Sequence, residues 1–353
     1  MTFILFACQP DPKRFQIIDI QDSEYQIIEK EIPSLISPKT MDGELGTITS
    51  GGVFSVSLED TSMTYQYGRE INLQYQIKEE VLYPLDRDGL ILLSFYAHLE
   101  DVCTILEDTD LKEDLETIFP VNATVTPTLA DITLAIFPFE NAAYVPGAHH
   151  FIILSDLFEK EVPLAANKGV VAHEFGHAIF HWLTTGGTRT ESWGRSEADA
   201  SNSLASLDEG LADVLGALVS EQANFISYSL DLPERRLDGE QTIQAVEILP
   251  QDFQSEGAFD IYDPYPLGSV FAATVWDTYL GGTDRITMLN WIFRTTQIFA
   301  AENAKDTALS NKSLGFLWLQ EFVAQADTEE ARIQVCQAIS TRFGDSIEVA
   351  ACF

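Results

Sequence analysis

Basic residues are scarce in this chain: 20 Lys and Arg stand against 55 Asp and Glu, a formal charge of −35 over 353 residues. A surface that acidic repels phosphate backbones and anionic headgroups, which argues against electrostatic binding to nucleic acid or to an acidic membrane. The excess fits either a saline habitat or acidic loops that take calcium, and composition does not choose between them. Histidine is rarer still, six in all and none after His181. The four cysteines, Cys8, Cys103, Cys336 and Cys352, show no C-x-x-C spacing, which argues against a cysteine zinc site. Cys336 and Cys352 flank the C-terminal helix and tail and could pair, closing a loop worth about 3 kcal/mol if oxidised, with Cys103 left as a buried thiol. There are no repeats and no low-complexity tract. What is plentiful is apolar: 46% of residues, 11% aromatic, enough for a large core in a chain whose length suits two lobes around a cleft.

The start, Met1-Thr-Phe-Ile-Leu-Phe-Ala-Cys8, is apolar but too short to span a bilayer. From Phe15 to about Lys78, short alternating runs such as Gln16–Ile20, Gly52–Val56 and Ile71–Ile77 are broken by Gly, Pro and Asp, and predict strands. Leu90 to Leu106 has the spacing of a packing helix, with His98 read as a core or helix-surface residue. Strands return at Ala123, Ile132–Phe137 and Phe151–Leu154. His149 and His150 precede the last of these and alternate faces, so they cannot both join one metal. Three or four amphipathic helical runs fill Asp284 to Phe353. The pattern divides the chain into 1–8, a signal-like segment; 9–85, a β-rich N-terminal region; 86–187, an N-terminal lobe; and 188–353, a helical C-terminal lobe.

The stretch Val170-Val-Ala-His173-Glu174-Phe-Gly-His177-Ala-Ile-Phe-His-Trp182 carries the chemistry. It predicts a largely buried helix ended by Gly186-Gly187, with its polar residues on one face. Residues i and i+4 lie one above the other, so His173 and His177 can offer imidazoles to a single point, with Glu174 beside it. Two imidazoles and a carboxylate are what a zinc ion with one open water position requires, the carboxylate serving as base. Left unliganded among Val, Ala, Ile and Phe, the trio would cost several kcal/mol in desolvation. His181, one turn further, is read as packing. A third ligand must be acidic and downstream: Glu197, Asp199, Asp208, Glu209 or Asp213. Glu209 and Asp213 lie one turn apart in the helical run Ser206–Val219, which pairs a ligand with an acid able to accept the free ring N–H of a zinc-bound histidine.

With Phe180 and Leu183 where metzincins place Gly and His, that class is excluded. The two helices instead resemble the gluzincin metallopeptidases, the thermolysin-like and fungalysin-like branches, through His173-Glu174-Phe-Gly-His177 and Glu209-Gly-Leu-Ala-Asp213-Val-Leu-Gly216. The resemblance implies an α+β, zincin-like fold of two lobes: an N-terminal mixed sheet with the active-site helix, and a mainly helical C-terminal lobe. It implies one catalytic Zn²⁺ on His173, His177 and Glu209, with Asp213 the partner of His173 and Glu174 the general base. Asn141-Ala142-Ala-Tyr144 resembles the family's edge strand, which implies that Asn141 and Ala142 bind peptide main chain. Arg235, with Arg236 as rival, stands in a segment resembling the family's substrate-contacting arginine. Asp263-Pro-Tyr265-Pro-Leu-Gly268 resembles the helix start where relatives carry an oxyanion-binding histidine; Tyr265 stands in its place, with Tyr262 as rival.

These features lead to the expectation of a monomeric zinc endopeptidase acting on peptides or proteins. Calcium is a second expected cation if the acidic loops take one. Leu5-Phe-Ala-Cys8 resembles the end of a bacterial lipoprotein signal, so export is expected, to the periplasm, the outer membrane through a lipid on Cys8, or the medium. The alternative is a zinc-binding surface module of weak or no activity, motivated by the missing downstream histidine.

Overall fold

The structure is a computed structural model that describes residues 14–21, 24–56, 63–66, 68–125, 128–130, 142–145, 149–153, 162–185, 198–244, 264–303, 314–347 and 349–352. In chain order, β1 (Arg14–Gln21), β2 (Glu24–Lys30), β3 (Leu35–Ser37), β4 (Asp42–Gly43), β5 (Gly46–Ser50), β6 (Val53–Val56), β7 (Met63–Gln66), β8 (Arg69–Glu70), β9 (Tyr75–Lys78) and β10 (Val81–Pro84) precede α1 (Arg87–Leu106). Next come α2 (Leu115–Ile118), β11 (Val121–Val125), β12 (Thr128–Ala130), β13 (Ala142–Val145) and β14 (His150–Ile153). The rest is helical: α3 (Lys168–Thr185), α4 (Ala198–Ser220), α5 (Tyr265–Leu280), α6 (Arg285–Asn303), α7 (Leu314–Gln325) and α8 (Glu329–Phe343). The architecture is mixed α+β: among the described residues the strands all lie in the N-terminal half, together with α1 and α2, and the C-terminal half is helical, as the alternation and helical spacing led one to expect. The predicted strand 132–137, along with Cys8, Asn141, Glu197 and Tyr262, lies outside the described residues.

Strands from both N-terminal segments share one sheet. In it β11 runs parallel to β5 on one side and to β14 on the other, and β13 lies antiparallel to β14 at the end of the described order. A smaller sheet pairs β1 antiparallel with β2 and parallel with β10. The period-two alternation of β1 turns Phe15, Ile17 and Asp19 inward, so a carboxylate sits 3% exposed at a position patterned for an apolar side chain. A buried charge there needs partners. Lys30 Nζ lies 2.9 Å and Lys168 Nζ 2.7 Å from its two oxygens, and both ammoniums also reach Asp101 on α1.

That cluster fixes the start of α3. Asn167 is the cap: its Oδ1 accepts from the backbone N–H of Gly169 at 3.0 Å and of Val170 at 3.3 Å, satisfying donors that a helix leaves open. Tyr25 on β2 donates to the same oxygen at 2.8 Å and accepts from the Lys168 amide at 3.0 Å. Further along, α3 is apolar nearly all round, as a core helix must be, and packs against α4. Gly176 makes the approach close, since a Cβ there would lie 2.7 Å from the Ala212 Cα. Gly210 does the same between α4 and α5, where a Cβ would meet the Gly268 carbonyl oxygen at 2.5 Å. These two contacts bring the polar faces of three helices to one place.

The remaining helices close the C-terminal half. Arg342 of α8 forks onto Asp277 of α5 at 2.7 and 2.9 Å. A Cys336–Cys352 disulfide ties α8 to the last turn. Cys103 on α1 is unpaired and half-buried, and burial pushes its thiol up to about 12.

Candidate metal centre

Helices α3 and α4 and the short turn Pro233–Arg235 converge on a cavity of about 470 Å³. His173 and His177 face each other across one helical turn with their Nε2 atoms 3.1 Å apart. Glu209 places Oε2 at 3.5 Å from the first and 3.6 Å from the second. The opposite ring nitrogens are engaged: His173 Nδ1 lies 2.9 Å from Asp213 Oδ1, and His177 Nδ1 lies 2.9 Å from Asp208 Oδ1. Ionised carboxylates only accept, so both Nδ1 atoms carry the proton and, in the neutral rings, both Nε2 atoms present lone pairs. Two lone pairs and a carboxylate oxygen aimed at one buried point repel one another unless a cation sits between them.

The field of the surrounding acids gives the same result. Burial alone would lower His177, but Asp208 and Glu209 outweigh it and raise it to about 10. His173 moves the other way, lowered chiefly by burial. In the metal-free protein His177 therefore holds a second proton on Nε2, at the position a divalent cation would take. Tetrahedral zinc with bonds of about 2.0–2.1 Å spaces its ligands roughly 3.3 Å apart, and the three donors here stand at 3.1, 3.5 and 3.6 Å. Glu209 Oε2 has no hydrogen-bond partner although it is buried, which a metal would remedy. The residues present fit zinc.

Glu174 lines the same cavity, 4% exposed, with Oε2 also lacking a hydrogen-bond partner. Burial raises its carboxyl to about 7, while a hydrogen bond from the Tyr144 amide pulls in the opposite direction. A carboxyl poised near neutrality can both take and return a proton.

Arg235 is a buried residue whose main partner is Asp213: Nε lies 3.2 Å from Oδ2, and the NH2 nitrogen reaches Oδ1. Burial would raise the Asp213 carboxyl, but Arg235 and His173 outweigh it and hold it below the usual range. The guanidinium also sits 4.4 Å above the ring of Tyr265 and 3.8 Å from Glu209 Oε2. Tyr265, the first residue of α5, lines the cavity, and burial pushes its hydroxyl well above its ordinary range, so the phenol stays a neutral donor. Its neighbour Arg236 points away and pairs with Asp238 at the surface. Ala142 of β13 also lines the cavity.

Two placements, those of Asp208 and His181, go beyond what spacing suggested. Asp208, one of the acids considered as a ligand, sits on the back of His177 instead. His181 is buried as a packing residue would be, yet it lines the cavity and its Nε2 has no partner. His149 and His150 are both buried, 6% and 3% exposed, and belong to neither group of possible metal ligands among the described residues. No periodicity in the sequence marks Asp208 or Arg235 as part of the centre, because each meets its partner 31 or 22 residues away through packing.

No protein-family model matches the chain, and no curated protein matches it either. Among solved structures, the chain is similar to the precursor of protealysin, a metalloproteinase from Serratia proteamaculans, with 14% sequence identity and a TM-score of 0.49 over 90% of this chain and 92% of that one. A likeness of that size leaves the chemistry to be read from the side chains themselves.

Proposed function

We propose that the protein is a zinc-dependent endopeptidase. The observation that carries this reading is the convergence of two imidazole lone pairs and the Glu209 carboxylate on one buried point, beside a partnerless oxygen of Glu174 in the same cavity. Zinc held by His173, His177 and Glu209 would supply a Lewis acid that polarises a carbonyl and lowers the pKa of a water towards about 7. Asp213 and Asp208 fix the tautomers that make the two rings ligands. Glu174 removes the proton from the attacking water and delivers it to the departing amine, for which a carboxyl near 7 is suited.

Tyr265 and Arg235 stand where negative charge would develop on the substrate. The phenol can donate one hydrogen bond to an oxyanion, and Arg235 holds its ring from above while also neutralising Asp213. The edge strand β13, with Ala142, offers main-chain groups to an extended peptide, and the expected Asn141 contact belongs to the same proposal. The apolar wall of the cavity, which includes Leu164, Val170, Phe225 and Leu230, suits a peptide side chain better than a charged small molecule.

The test is hydrolysis of a denatured protein by wild type and by Glu174→Gln, with zinc quantified in both. The expected result is about one zinc per chain in each and a rate loss of about 10³-fold in the variant. Equal activity in the two would overturn the reading.

A further inference from the structure

His149 has no place in the chemistry above, yet its surroundings are costly to build. It is a buried non-glycine residue with φ of 47°, in the left-handed region where a residue with a Cβ is held only by its surroundings. Its ring is bonded on both sides. Nε2 lies 2.6 Å from the carbonyl oxygen of Ile118, and Nδ1 lies 2.8 Å from the hydroxyl of Tyr144. A carbonyl can only accept, so Nε2 carries the proton, and in the neutral ring Nδ1 accepts from Tyr144.

Tyr144 is the link to the cavity. It lies on β13 opposite Phe151, with ring centroids 5.1 Å apart, and Phe151 stacks at 6.0 Å on Phe175, the residue after Glu174. The backbone amide of Tyr144 donates to the Glu174 carboxylate. One residue thus has its side chain anchored to His149 and its N–H on the general base.

We propose, on the peptidase reading above, that His149 and the Tyr144 hydroxyl form a positioning pair. They fix β13 so that the Tyr144 amide aims Glu174 at the water it deprotonates. Neither side chain touches the reacting atoms. The pair acts through the orientation of one carboxylate, where displacements of about 1 Å can cost up to 10²-fold in rate.

Two variants test this. Tyr144→Phe removes the hydroxyl and keeps the ring and the amide; His149→Asn tolerates positive φ but is too short to bridge Ile118 and Tyr144. Each should lower kcat about tenfold with KM within about twofold of wild type. The double variant should be no slower than either single one, because both remove the same bond. Zinc content should be unchanged, and ¹⁵N spectra of the labelled protein should show His149 Nδ1 losing its hydrogen bond in Tyr144→Phe.

A rise in KM with kcat unchanged would overturn the proposal by making Tyr144 a substrate contact. A fall in thermal midpoint with unaltered kcat per folded molecule would overturn it by making the pair merely structural. Glu174→Gln is run alongside. If it cuts as well as wild type, the peptidase reading falls and the pair's role with it; if it is dead while Tyr144→Phe matches wild type, only the pair's role falls.

Discussion

Two clusters in this protein bring the same kinds of donor together and treat them in opposite ways. Asp19, His98 and Asp101 place ligand atoms within 4.8 Å of one another, and so do His173, His177 and Glu209. In the first, Lys30 and Lys168 supply the positive charge from the chain itself, each reaching both carboxylates. Burial would raise both acids, but His98 first and then the two ammoniums outweigh it, holding Asp19 and Asp101 below their usual range. In the second, the nearest base, Arg235, is taken up by Asp213 and stands 3.8 Å from Glu209 Oε2. A cluster of metal-binding residue types is therefore not by itself a metal centre. What separates the two is whether an internal cation already balances the acids.

The largest effect should come from matched substitutions. Glu209→Gln should leave the protein with substoichiometric zinc and reduce hydrolysis by about 10³-fold, whereas Asp101→Asn should leave one zinc per chain. Metal analysis of both variants, with the loss appearing in Asp101→Asn instead, would reverse the comparison. Next, Lys168→Met leaves Lys30 as the one ammonium shared by Asp19 and Asp101 and should cost about 3 kcal/mol in denaturant unfolding while leaving zinc stoichiometry intact. Unchanged stability would mean that the ammonium does not balance the cluster.

The pH dependence of the metal-free protein should also separate the clusters. Glu174 is raised from 4.5 to about 7, so the unfolded chain releases this proton first, and stability is lost as pH rises from about 4.5 to about 7, by on the order of 3 kcal/mol. Glu174→Gln should reduce that slope without removing it, because burial raises Glu209 as well. Asp19 and Asp101 are lowered, so their contribution is present above about 3.8 and is lost as pH falls below it. Thermal midpoints between pH 3 and 8 read both slopes in one series. The smallest expected effect is at the back of the rings: Asp213→Asn should weaken zinc about 10–100-fold without abolishing it, as measured by chelator competition. A full loss of metal would make Asp213 a ligand in its own right.

Much of the centre was legible because it lies within single helices. His173, Glu174 and His177 share a face by helical geometry alone, as do Glu209 and Asp213, and the apolar flanks announced burial. The capping of α3 was not legible, since Asn167 depends on a tyrosine 142 residues earlier. The buried charge at Asp19 broke the alternation of β1, a signal that could have been noticed, but its partners could not have been named. The histidine pair at 149 and 150 shows the limit from the other side. His149 precedes β14 in a left-handed conformation that strand alternation does not describe, and only the packing of β13 on β14 and the carbonyl of Ile118 gave it its two partners.

The sequence by itself determined the fold class, through strand alternation followed by helical spacing, and the two facing motifs, through the i to i+4 repeat. These are local properties of backbone geometry and need no knowledge of the rest of the chain. Tertiary structure decided which acid meets the imidazoles and which meets their backs, which cluster is balanced from within, and how Glu174 is aimed. Those outcomes depend on contacts such as Gly176 against Ala212, where a Cβ would lie 2.7 Å from the Ala212 Cα, and no short-range pattern encodes a contact between distant segments.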